Sequence, residues 1–248
     1  MTTLYGWGRA FGIASVSPYV AKADIQMQMF DIAFDRAIAD LDSVAKHKAP
    51  YVEDGGKIIQ DSSFIRWHFE QKLGVDLDAG LSAEQRAIAW AVERMLEDRL
   101  AAIMAHERWV EGDNFERGPA MFFANIPEPM RAEVAANARQ RVHDTYYAQG
   151  IGRHSRDERM RLAANDIASV ATLLGQKPFM FGDRPTALDG AAYGVISGCA
   201  APIFETELIS MVAAHDNLVG YLDRMEQLYF AEDRWPSLMP DDRAVEPA

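Results

Sequence analysis

The chain has 248 residues, 49% of them apolar, enough for one large domain or two small ones with a real core. Its net charge of −12 and pI near 4.9 argue against nucleic acid and anionic membrane as main partners. No apolar run of 18 residues and no signal-peptide pattern is present, and the single cysteine, Cys199, excludes an internal disulfide framework; together these suit a reducing cytoplasm.

Thr3 to Trp7 reads as a short strand and Gly8 to Ser17 as a loop. Pro18 to Met29 reads as a helix with Ser17 at the N-cap and Pro18 at its first position. A second strand is expected around Ile32 to Arg36, then a crossover carrying Leu41 to Lys48. Tyr51-Val52 and Lys57-Ile58-Ile59 are strand-forming runs around Asp54-Gly55-Gly56, a hairpin signal. Pro50 lacks an N–H and suits a strand entry, where its peptide bond is a candidate for the cis form. Asp61-Ser62-Ser63 is a natural N-cap region for a helix from Phe64 to Leu73, stopped at Gly74. An unpaired backbone at Ala49 beside that helix start would hold a short acidic peptide. The plainer alternative is an ordinary hairpin followed by an ordinary capped helix.

A βαβ unit joined to a ββα unit within about 75 residues is the thioredoxin-like arrangement. The slot for a redox Cys-x-x-Cys is occupied by Ser15-Val16-Ser17-Pro18, which excludes disulfide exchange. A hydroxyl there can donate a hydrogen bond to a bound thiolate, or simply cap the helix.

Ser17-Pro18-Tyr19, Ala49-Pro50-Tyr51 and Asp61-Ser62, in that order and spacing, resemble the glutathione-binding half of the glutathione S-transferase superfamily. The resemblance implies glutathione as co-substrate. Ser17 would then activate its sulfur, with Ser15 the other hydroxyl in the same loop. The backbone at Ala49 and Pro50 would hold the cysteinyl part, and Asp61 with Ser62 the γ-glutamyl group.

Beyond a linker from Gly74 to Leu81, Ser82 and Gln85 form a capping box opening a long helix to about Trp109, with Ile88, Val92, Met95, Leu96, Leu100, Ile103 and Met104 on one face. Glu111 to Met130 reads as a long loop bordering a pocket, or alternatively as short helices covering the core. Helices follow over Arg131 to Ala148 and from Ser155, whose capping box with Glu158 opens a segment ended by Gly175. Thr186 and Asp189 form a third capping box at the start of a helix of apolar and small residues, with Asp189 expected to be a nearly buried structural carboxylate. This motif too is similar to one in the helical half of glutathione transferases. Asp76 to Ser82, Glu107-Arg108-Trp109 and Tyr147 to Ser155 look like the branch of failed-axon-connections and metaxin-like proteins, whereas Val20 stands where some relatives carry a cysteine. None of the six histidines makes a zinc-type pair, and His106 is expected in a surface or capping role.

The expected fold class is therefore α+β and two-domain, glutathione-transferase-like: a thioredoxin-like domain over residues 1–75 and an all-helical domain over 82–232. The expected activity is conjugation of glutathione to an apolar electrophilic small molecule by a cytoplasmic homodimer, without nucleic-acid or membrane partners and without a metal. The alternative is a non-catalytic ligand-binding or interaction module of the same fold, as in metaxins. The tail from Pro236 is expected to be loose.

Overall fold

A computed structural model describes residues 1–238; residues 239–248, most of the tail expected to be loose, lie outside the described residues. Four strands, β1 (Thr2–Gly6), β2 (Asp35–Ile38), β3 (Tyr51–Asp54) and β4 (Lys57–Gln60), form a mixed sheet of order β2-β1-β3-β4. β1 pairs parallel with β2 and antiparallel with β3, and β3 pairs antiparallel with β4. Gly55 and Gly56 both take positive φ (57° and 80°), as the two-residue hairpin turn requires. The Ala49–Pro50 bond is cis.

β2 lies further along the chain than the apolar run Ile32 to Arg36 suggests. Ile32 and Phe34 pack against the core beneath the sheet, and the ladder with β1 begins only at Asp35. Arg36 fixes this register from the side, its guanidinium donating to both carboxylate oxygens of the buried Asp24 at 2.7 and 2.5 Å. Asp24 also accepts from the Trp235 indole at 2.8 Å, which fastens the segment after the last helix to the first helix.

Two helices flank the sheet: α1 (Pro18–Met29) and α2 (Ser62–Leu73). Gly74 ends α2 in the left-handed conformation, as expected. Asp54 on β3 ties α2 to the sheet by accepting from Thr2, His68 and Lys72 at 2.7–2.8 Å. Burial alone would raise its carboxyl, but the bonds from His68, Lys72 and Thr2 outweigh it and hold the group well below the usual carboxylate range. A depressed folded-state pKa gives stability present above the unfolded value near 3.9 and lost as pH falls through the folded one. Asp54→Asn should therefore lower the melting temperature at neutral pH and flatten its decline below about pH 4. Melting curves measured across that range check both; the effect is tempered by solvent around the half-exposed Lys72.

The remaining chain is helical: α3 (Ala83–Arg94), a π-helical turn (Met95–Leu100), α4 (Ala101–Trp109), α5 (Asn114–Arg117), α6 (Glu128–Gln149), α7 (Arg156–Leu174), α8 (Ala187–Cys199), α9 (Glu207–Ala213) and α10 (Asp216–Tyr229). All three expected capping boxes are present, at Ser82, Ser155 and Thr186. The single helix expected from Ser82 to Trp109 is instead interrupted by the π turn. Within it the Glu97 carbonyl accepts from the Tyr19 hydroxyl at 2.9 Å, a tertiary bond in the middle of the helical run. Glu111 to Met130 is not an open loop: α5 and a 3-10 helix (Pro119–Phe123) pack Phe115 and Phe123 around Trp109, and Phe122 lies 6.5 Å from Trp7. His106 is buried rather than superficial, and burial with the nearby Arg159 pushes its pKa down to about 4.

α8 is the axis of the helical part and is entirely buried. α1 lies directly against it: a Cβ on Gly194 would stand 2.3 Å from the Pro18 carbonyl oxygen, so only glycine permits this approach. Gln26 on α1 donates to the Ala187 carbonyl at 2.9 Å, and Asp78 links Arg66 of α2 to the Ala187 N–H. These contacts fix the start of α1 and the start of α2 relative to the helical part.

Candidate active site

A cleft of about 490 Å³ opens between the sheet edge and the helices. Lys48, Ala49 and Pro50 form one wall with Asp61, Ser62 and Ser63; Arg94, Glu97 and Asp98 face them, and Trp7, Tyr19, Thr145 and Tyr146 complete the lining. The residue groups singled out from sequence at positions 49–50 and 61–62 thus line one cleft, and the loop carrying Ser15 and Ser17 runs between two other lining residues, Trp7 and Tyr19.

Ala49 precedes β3, whose pairing with β1 stops at Tyr51. Its N–H and carbonyl take no hydrogen bond within the described chain. Asp61 N–H donates to the Pro50 carbonyl at 3.1 Å, placing the start of α2 beside that free backbone. Asp61 itself has φ of 90°, an unfavourable conformation for a residue with a side chain, and its carboxylate accepts from Ser63 N–H at 2.9 Å. The neighbouring Ser62 N–H has no acceptor in the described chain, so a carboxylate and a free helix-start donor stand side by side. That pair matches the ammonium and carboxylate of an amino-acid head group. On the rim, Lys48 has no ion-pair partner among the described residues and suits a second carboxylate.

The two candidate hydroxyls differ in what they already do. Ser15 is 5% exposed and donates to the Trp7 carbonyl at 2.7 Å, closing the loop on itself. Ser17 is half-buried at the N-cap of α1, next to Pro18; its Oγ accepts a long bond, 3.4 Å, from Val20 N–H, and its own proton has no acceptor among the described residues.

The opposite wall was not foreseen. Lys22, a charged residue on α1, is 1% exposed; its ammonium donates to Glu93 at 3.0 Å, Glu97 at 2.7 Å and the Ser63 hydroxyl at 3.3 Å. Arg94 bonds Glu93 and Glu97 from the other side. Burial raises the Glu97 carboxyl, against the pull of Lys22. This network holds the N-terminal turn of α2 against α3. Tyr146 is the other missed residue: burial raises its phenol, so it enters the cleft as a neutral donor. The only sequence signal for it was its place one residue before the Tyr147 to Ser155 motif.

Two family models match the chain, a glutathione S-transferase N-terminal domain over residues 18–114 and a glutathione S-transferase C-terminal domain over residues 163–225. The isoprene-epoxide–glutathione S-transferase of Rhodococcus sp. (strain AD45) is 31% identical over 237 residues, covering 92% of this chain and 99% of that protein. The chain belongs to the glutathione S-transferase family. Among other members, Failed axon connections of Drosophila melanogaster is 28% identical over 249 residues, 92% of this chain and 58% of that one. Human metaxin-2 is 25% identical over 189 residues, 75% of this chain and 71% of its own length. The fold is likewise that of solved glutathione S-transferases. The enzyme of Methylobacterium radiotolerans, in complex with glutathione sulfonate, superposes with a TM-score of 0.58 at 20% identity over 98% of this chain and 99% of that one. The two-domain glutathione-transferase fold expected from the motifs is the observed one, and the likeness to the failed-axon-connections and metaxin branch holds within the family. Among the described residues no helix is long and apolar enough to cross a membrane.

Proposed function

We propose that this glutathione S-transferase-family chain binds glutathione in the 490 Å³ cleft and adds its thiolate to an apolar electrophilic small molecule. The observation that carries this reading is the meeting, at one cleft, of the Asp61–Ser62 helix start and the unpaired Ala49 backbone, with the Ser17 N-cap two residues before Tyr19, which lines the same cleft. The γ-glutamyl head takes Asp61 and the Ser62 N–H, the cysteinyl backbone pairs strand-like with Ala49 beside Pro50, and the glycyl carboxylate reaches Lys48. Ser17, whose hydroxyl proton is free, donates to the sulfur; Ser15 supports the loop through Trp7. Trp7, Tyr19 and Tyr146 offer aromatic surface to the electrophile. A role in cytoplasmic detoxification accords with this chemistry and with the acidic surface.

Calorimetry with reduced glutathione tests the reading. Binding at millimolar or tighter affinity is expected for the wild type and should be lost in Asp61→Ala, which removes both the ammonium partner and the cap on Ser63. Binding that survives the substitution unchanged would overturn the assigned site.

The second reading, a ligand-binding or interaction module without transferase activity, draws on the match to Failed axon connections and metaxin-2, whose names carry no transferase activity. Glutathione binding with no conjugation across a panel of epoxides and other electrophiles would favour it.

The working unit is proposed to be a homodimer. Phe64, Trp67 and Trp90 form an exposed aromatic strip across α2 and α3, with Trp67 46% and Trp90 51% exposed and their rings stacked at 6.4 Å. Lys46 and Arg94 sit over its two ends. Large indoles in water are costly, and a second copy would cover them by presenting the same strip about a two-fold axis. Light scattering should find a dimer for the wild type and a monomer for the double variant Trp67→Glu, Trp90→Glu.

A further inference from the structure

Arg108 is a cation in the wrong place for a merely structural residue. It lies on α4, is 5% exposed, and its guanidinium has no carboxylate partner among the described residues. The flanking Glu107 is committed to Arg156 at 3.0 Å, and Asp166 is committed to Arg99. The Cys199 thiol faces Arg108 from α8, but burial pushes its pKa up to about 12, so it carries no charge. What Arg108 does hold is backbone. Nη2 donates to the Gly198 carbonyl at 2.6 Å, Nη1 to the Val16 carbonyl at 3.2 Å, and Nε has no acceptor among the described residues. Phe204 and Phe11 present ring faces to the guanidinium at 4.9 and 5.7 Å.

The cost of this arrangement is visible: burial pulls the Arg108 pKa down to about 10. A lone buried charge is expensive, and an apolar side chain of similar volume would pack between those rings without that cost. The Val16 carbonyl belongs to the same peptide unit as the Ser17 N–H. The positive charge is therefore applied one peptide away from the hydroxyl at the start of α1, through a medium that screens poorly. The loop it grips is already closed by Ser15 Oγ on the Trp7 carbonyl and by Val16 N–H on the Gly8 carbonyl at 3.3 Å.

We propose that Arg108 is a positioning residue for the transferase reaction. It fixes the Val16–Ser17 peptide from the helical part and adds a buried positive field that favours the thiolate over the thiol of the glutathione held at Ser17. The inference rests on the glutathione-binding reading above. Apart from Arg108, the charged group nearest in the loop is Arg9, which is turned away into a pair with Glu226 at 2.7 Å. The charged groups lining the cleft are Lys48, Asp61, Arg94, Glu97 and Asp98; Glu97 is paired with Lys22 and Arg94, and Arg94 also lies 3.6 Å from Asp98. Around Arg108 itself, Glu107 is paired with Arg156 and Arg159 with Glu111.

The test titrates the bound glutathione thiol by its thiolate absorbance in the wild type, Arg108→Gln and Arg108→Lys. Gln keeps a donor but loses the charge; Lys keeps the charge. In Arg108→Gln the bound-thiol pKa should rise by about one unit, a tenfold loss of thiolate below it, with glutathione affinity little changed. Arg108→Lys should titrate close to the wild type. An Arg108→Gln variant that is folded by circular dichroism and titrates like the wild type would overturn the inference. If the Gln variant does not fold, Arg108→Met, which fills the space between Phe204 and Phe11 without a charge, takes its place: a bound-thiol pKa raised by about one unit supports the role, and a wild-type pKa overturns it. Failure of the underlying reading looks different, because the wild type itself would then bind no glutathione or leave its thiol unshifted.

Discussion

Ser17→Ala is expected to reduce turnover of glutathione conjugation by roughly 10- to 100-fold at neutral pH while leaving glutathione affinity nearly intact. The magnitude follows from the bond lost. A hydrogen bond to a charged acceptor contributes about 1.5–3 kcal/mol, and each 1.4 kcal/mol is a factor of ten in rate or one pKa unit. The bond exists only with the thiolate form, so its loss does not weaken binding of the neutral thiol. The sign of the pH dependence follows. Without Ser17 the bound thiol titrates one to two units higher, so the rate deficit is largest well below that pKa and closes as pH rises toward the free-thiol range near 8.5. Stability should fall only slightly, because the cap Ser17 gives Val20 N–H is a long 3.4 Å bond. Ser15→Ala should behave oppositely. Its hydroxyl bonds the Trp7 carbonyl at 2.7 Å, so the variant should loosen the loop and lower the melting temperature without a distinct shift in the pH–rate profile. Parallel pH–rate profiles for wild type and Ser17→Ala would remove Ser17 from the proposed mechanism.

Much of this architecture was legible because its signals are local. A capping box closes within three residues, so Ser82–Gln85, Ser155–Glu158 and Thr186–Asp189 can be read directly from the chain. Gly55–Gly56 and Gly74 declare turns through φ alone, and Pro50 marks a strand entry through its missing donor. The proposed site was legible only where it is built the same way, at Ser17, Ala49 and Asp61–Ser62. Its other wall depends on contacts that no local pattern announces. Lys22 on a helix reads as a solvated charge; it is buried because Glu93 and Glu97 reach it from 71 and 75 residues away. The π turn looks like ordinary helix until Tyr19, 78 residues earlier, takes the Glu97 carbonyl. His106 reads as a surface residue because ionisable groups usually are, and its burial and that of Arg108 follow from packing against α7, α8 and the loop before Ser17. Tyr146 belongs to a helix too polar to show a face, since among its residues only Ala138 is fully buried.

Asp189→Ala should be the most destabilising single substitution in the helical part, costing about 3–5 kcal/mol, with retention of glutathione binding in the molecules that remain folded. Its carboxylate is 0% exposed and accepts from Thr186 N–H at 2.7 Å, Met180 N–H at 2.9 Å, Thr186 Oγ1 at 2.9 Å and the Tyr221 hydroxyl at 3.3 Å. Burial pushes this carboxyl up, and the four donors pull against it. Removing the side chain leaves two backbone N–H groups without an acceptor in a dry environment, at about 1–3 kcal/mol each, and breaks one half of the capping box of α8. The consequence spreads because α8 carries α1 through Gly194 and Gln26, and α1 begins at Ser17. For a chain of this size the loss corresponds to a fall in melting temperature of roughly 6–20 °C. Asp189→Asn keeps one acceptor oxygen and should lose about half as much, whereas Thr186→Ala removes one hydroxyl and should cost about 1 kcal/mol. Denaturant titration of the three variants would test this order. If Asp189→Ala came within 1 kcal/mol of the wild type, the network would be a minor contact, and the anchoring of α1 would have to come from apolar packing between α1 and α8 alone.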